Sequence, residues 1–138
     1  MDEFEYLDSC HDKWCRLSDA RRSRMQQTVV DVMKTVSAIE GDGFAGWWEG
    51  MLRSGDADRD FPRVIESFRL AGLDSFADMI SRTMFCREIV AAGIASEAEE
   101  FQFSQEQEQT LSRFDLHFSE KGPDAREALL QFLPRKWA

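Results

Sequence analysis

Four short stretches carry residue types that could do chemistry. Cys10-His11-x-x-x-Cys15 places two thiols and an imidazole close together. Structural zinc takes four ligands, usually as two closely spaced pairs. The only other candidates are Cys86 and His117, each isolated and far along the chain. Residues five apart on a helix point in different directions, so a Cys10–Cys15 disulfide is not expected either. The cysteines read as small buried hydrophobes. Asp56-Ala57-Asp58-Arg59-Asp60 has the opening rhythm of a calcium loop. Such a loop needs glycine at its sixth position and glutamate at its twelfth. Phe61 and Ser67 stand there instead, so the stretch reads as a turn whose acids precede a helix. Gly41-x-Gly43 lacks the preceding strand and third glycine of a phosphate-cradling loop. His11 and His117, the only histidines, sit in no nucleophile–base motif. No catalytic residue, metal ligand or cofactor is therefore assigned, and a non-enzymatic protein is expected.

The strongest remaining signal is charge. Twenty-six acidic residues oppose seventeen basic ones, for a net charge of −9. This balance disfavours direct contact with nucleic acid or an anionic membrane and favours a basic protein partner. The acids fall in three runs. Residues 1–12 hold Asp2, Glu3, Glu5, Asp8 and Asp12. Residues 40–60 hold Glu40, Asp42, Glu49, Asp56, Asp58 and Asp60 against Arg53 and Arg59. Residues 97–108 hold Glu97, Glu99, Glu100, Glu106 and Glu108. The first and third runs contain no arginine, and no lysine. These sixteen acids are the candidate partner-binding residues. A basic stretch (Lys13, Arg16, Arg21, Arg22, Arg24) lies between the first two runs; it either neutralises neighbouring acids or meets a partner of its own. Adjacent residues on a helix are about 100° apart. One member of the Trp47-Trp48 pair is therefore a candidate exposed aromatic anchor.

These side chains must be positioned by helices. Apolar residues recur at spacings of three and four nearly throughout, and strand-like alternation is scarce. Phe4, Leu7, His11, Trp14 and Leu17 share one face. A second stripe, Met25, Val29, Val32, Val36 and Ile39, predicts a helix over about 19–40, capped by Ser18 or Asp19 and stopped by Gly41-Asp42-Gly43. Short helices follow around Trp47-Trp48 and around Phe61–Phe68. Another starts at Asp74 or Ser75 and runs towards Val90. Residues 97–108 lead into a helix capped by Ser104, and Gly122-Pro123-Asp124 predicts a break before a last helix. The expected fold is all-α: one compact domain over 1–138, with six to seven helices. An odd cysteine count, an acidic start and the absence of a run of roughly 20 apolar residues point to a reducing cytoplasm without a membrane span.

The order of several turns also carries a resemblance. Glu40-Gly41-Asp42-Gly43-Phe44 is followed by Trp47-Trp48, Ser54-Gly55-Asp56 and a helix ending Leu70-Ala71-Gly72-Leu73. Phe114-Asp115-Leu116-His117-Phe118 comes later. This pattern resembles a bacterial all-helical family, a domain of unknown function that includes a DNA mimic protein. The likeness covers about 39–133, leaving 1–18 as an N-terminal helical extension. Asp42 and Phe114 depart from the usual glycine and leucine. The resemblance implies an all-helical fold without known enzyme activity and, in at least some members, mimicry of DNA charge. The function expected first is thus an acidic, DNA-mimic-like regulator that blocks the basic site of a DNA-binding protein. The alternative is an immunity or antitoxin protein that neutralises a bacterial toxin. A homodimer is left open.

Overall fold

A computed structural model describes residues 2–133. Among them the fold is all-α, as the periodicity predicts. Six helices form: α1 Glu3–Cys15, α2 Arg24–Ser54, α3 Ala57–Leu70, α4 Asp74–Ser81, α5 Cys86–Ala95 and α6 Gln105–Phe132, with a short 3-10 turn at Asp19–Arg21. Three helices start on reciprocal caps. Asp2 with Glu5, Ser23 with Gln26 and Ser104 with Gln107 each satisfy two otherwise unpaired backbone N–H groups. The cap expected at Ser18 or Asp19 lies at Ser23, because residues 19–21 form the separate 3-10 turn.

The central element is α2, which packs against α1, α3, α5 and α6. Its stripe Val29, Val32, Val36 and Ile39 is buried. An aromatic cluster continues the core. Phe44 meets Phe118 edge-on at 5.0 Å, Phe118 meets Phe76 at 4.8 Å, and Trp48 lies 4.7 Å from Phe61. Such edge-on and offset pairs add to the benefit of burying large rings.

Two predicted helix ends are corrected. Gly43 has φ +73°, the left-handed conformation its type suggests, yet α2 resumes at Phe44. The restart needs an acceptor for a freed N–H, and Asp115 on α6 supplies it: Phe44 donates its backbone N–H to Asp115 Oδ1 at 2.8 Å. A cap from 71 residues away turns a stop into a kink. Helix α6 likewise runs through Gly122-Pro123-Asp124. Proline removes one backbone donor there. Gly122 lets α6 press onto α2, since a Cβ on it would collide with the Glu40 carboxylate and sit 3.5 Å from Val36. A third difference is a break: the helix expected from Asp74 towards Val90 divides into α4 and α5 at residues 82–85. There Thr83 accepts the indole N–H of Trp48 at 3.0 Å and donates to the Ile80 carbonyl at 2.7 Å.

Candidate functional site

The three acidic runs differ in what their carboxylates already do. In the first, Asp2 accepts from the Glu5 N–H at 2.8 Å, and Glu5 accepts from the Asp2 N–H at 3.1 Å. Asp8 pairs with Arg126 of α6 at 2.9 Å, and that guanidinium also lies 5.5 Å from the Phe4 ring centre. Glu3 and Asp12 make no ion pair among the described residues.

Most of the second run is engaged internally. Glu49 pairs with Arg53 at 2.8 Å, and Asp58 pairs with Arg87 of α5 at 2.6 Å. Asp56 and Asp60 both meet Arg59, at 3.1 and 3.0 Å. Asp60 also meets Arg63 at 2.9 Å. From there the network passes inward to Asp31, which is 4% exposed. Asp31 accepts from Arg63 twice, at 3.1 and 2.9 Å, from Gln27 at 2.8 Å and from Ser67 at 2.7 Å. Burial alone would lower the Arg63 pKa, but Asp31, Asp60 and Asp19 together hold it above its ordinary value. Asp42 forms no ion pair among the described residues, and Glu40 lies against Gly122. The basic stretch serves the fold in part: Arg22 donates to the carbonyls of Trp14 and Cys15, at 2.9 and 3.2 Å, closing α1, and pairs with Asp19.

The third run is different. Helix α5 ends in a reversal in which the Ala98 N–H bonds the Gly93 carbonyl at 3.0 Å. Glu97 takes φ +55° there, a left-handed conformation that usually falls to glycine. The chain then passes Glu99 and Glu100 and enters α6, with Glu106 and Glu108 in its first turn. Acids at a helix N-terminus are favoured by the aligned backbone dipoles. None of the five glutamates makes an ion pair among the described residues, and the sequence has no lysine or arginine from Glu88 to Ser112.

The aromatic-anchor expectation for Trp47 and Trp48 is overturned. They are 8% and 1% exposed. Helix α2 is covered on more than one side, so both directions meet protein: Trp47 packs on Phe44 and Phe61, and Trp48 on Phe61 and Thr83.

Comparison with known proteins found no matching family model, curated protein or solved structure.

The chemical candidates resolve into local contacts. Cys15 Sγ lies 3.3 Å from His11 Nε2, and burial, the largest influence on His11, lowers the imidazole's pKa. His117 packs against Phe76 at 5.4 Å. Cys10, Cys15 and Cys86 are free thiols, and burial pushes Cys86 up to about 12. Among the described residues no three His, Cys, Asp or Glu side chains group as metal ligands, and no helix is long and apolar enough to cross a membrane.

Two acids with structural roles were not singled out from the sequence. Asp31 interrupts the apolar run Val29-Val30-Asp31-Val32, and a charge inside a buried stripe is itself a signal for a paired interior ion. Asp115 stands in the Phe114–Phe118 segment, but nothing local indicates that it caps α2 at Phe44.

Proposed function

We propose that this protein is a non-enzymatic acidic binder that presents residues 97–108 to the basic site of a protein partner. One observation carries the reading: Glu97, Glu99, Glu100, Glu106 and Glu108 make no ion pair among the described residues, whereas four of the six acids in residues 40–60 are paired with arginines. Unpaired carboxylates on one connection steer a positively charged surface and compete with nucleic acid for it. The Asp56, Asp58 and Asp60 carboxylates, expected at the interface from sequence, belong instead to the scaffold in this reading. A DNA-mimic-like regulator is the specific form favoured. The immunity-protein alternative has less support, because an inhibitor anchored in a toxin's site by a few aromatic side chains needs them exposed, and the tryptophan pair is buried.

The test is capture of partners from native lysate, followed by competition. Bound protein should leave the wild-type chain on addition of duplex DNA or moderate salt. It should not be captured when the five glutamates are changed to glutamine. A partner that resists both DNA and salt, and ignores those substitutions, would contradict the reading.

A further inference from the structure

Beside the third acidic run lies a groove of about 290 Å³ between α5 and the chain that follows it. Its apolar lining comes from Ile89, Ala92, Gly93 and Ala98, with Glu88 and Glu100 also on it. Gly93 is essential to its form. The Phe101 ring occupies the space where a Cβ would stand, so the loop can fold back against α5. Ala92 and Ala98 are exposed and Ile89 is half-buried, leaving a small apolar surface open beside the third acidic run. No cation among the described residues pairs with Glu88, Glu97, Glu99 or Glu100.

We infer that this groove seats an apolar side chain flanked by arginine or lysine on a segment of the protein partner. The inference rests on the proposed acidic binding face and adds a second recognition element to it. Carboxylates alone attract any basic surface of suitable shape. An apolar slot with an acidic edge selects for a basic segment that also carries a leucine-like residue, whose insertion removes apolar surface from water. Basic side chains suit this edge, because their alkyl stems lie along apolar walls while their charged ends reach carboxylates. The chain's own Arg135-Lys136-Trp137 has similar chemistry, so a second copy of the chain is the competing occupant that the experiment distinguishes.

Two fluorescein-labelled peptides of equal charge test this by anisotropy: a short arginine–leucine peptide, and its counterpart with serine for each leucine. The leucine peptide should bind the full chain about tenfold more tightly, and its addition should shift the amide resonances of Ile89, Ala92, Gly93 and Ala98. Ala92→Gln, an uncharged change at an exposed helical site, should reduce the leucine peptide to the level of the serine peptide. Changing Glu97, Glu99 and Glu100 to glutamine should weaken both peptides. Equal affinity of the two peptides for the wild type, with both still weakened by the glutamine changes, would overturn the groove and leave the acidic face standing. Affinities unmoved by the glutamine changes would instead remove the acidic face. Self-association that is lost on deleting residues 134–138, with resonance shifts at the groove, would assign it to a second copy and overturn the partner-segment inference.

Discussion

Residues 40–60 and 97–108 look alike as charge runs, yet their carboxylates have different surroundings. In the first, Glu49, Asp56, Asp58 and Asp60 each meet an arginine, and the network reaches the interior at Asp31. In the second, five glutamates occupy a loop and the first turn of α6 with no ion pair among the described residues. The difference follows from neighbours. Arg53, Arg59 and Arg63 lie one helical turn or less from their acids, and α2–α3 packing adds Asp31. The later stretch lies in a segment without lysine or arginine from Glu88 to Ser112, and its glutamates make no ion pair among the described residues. Acidity alone therefore does not identify a binding face; unpaired acidity is the more discriminating property.

The comparison can be broken most forcefully at Asp31. Asp31→Ala removes four hydrogen bonds at a buried site and leaves the half-buried Arg63 with Asp60 and Asp19 as its remaining acidic partners, so unfolding free energy should fall by about 3 kcal/mol, read from chemical denaturation. A change near zero would mean that the network does not hold α2 to α3. Gly43→Ala should cost about 1–3 kcal/mol, because a side chain at φ +73° is strained and its Cβ would approach Asp115 Oδ2 to 2.8 Å. The same measurement checks it.

Asp115 adds a pH signature to that kink. Burial, the larger influence, raises its carboxyl above the ordinary 3.8, although the Phe44 N–H favours the charged form. The folded state thus holds this proton more tightly than the unfolded chain. The contribution of this group to stability is fully present below pH 3.8 and is lost as pH rises through the folded-state value. Carbon-detected NMR should show Asp115 titrating above 3.8, and Asp115→Asn should remove this part of the stability–pH slope. Titration at or below 3.8 would contradict the packing described.

Smaller effects sharpen the contrast between the runs. Asp58→Asn breaks an exposed pair with Arg87, and should cost less than about 1 kcal/mol, with a still smaller effect at high salt. Glu99→Gln removes no ion pair among the described residues and should leave stability within about 0.5 kcal/mol of wild type. A larger loss there would make the late run part of the scaffold.

The sequence made some of this legible. The α2 stripe and the cap at Ser104 follow from periodicity and side-chain chemistry, and the structure places them accordingly; of the α1 stripe, Leu7 and Trp14 are buried, whereas Phe4 is exposed and Leu17 lies past the helix end. The two glycine-marked ends differ from expectation for one reason. By residue type Gly43 and Gly122 are local stop signals, whereas α2 and α6 use them to approach each other, and the freed N–H at Phe44 finds Asp115 across that contact. Tryptophan exposure was equally non-local: spacing shows that Trp47 and Trp48 diverge, but not that protein lies in both directions. The candidate site was legible as composition. Which acids would already have arginine partners depended on how α3 and α5 pack.

The most direct measurement compares two variants of equal charge change for capture of the basic partner at fixed salt. In one, Glu97, Glu99, Glu100 and Glu106 become glutamine; in the other, Glu49, Asp56, Asp58 and Asp60 become the corresponding amides. The account predicts that the first variant loses the partner while remaining folded, and that the second retains it with modestly reduced stability. Retention by the first and loss by a still-folded second would contradict it.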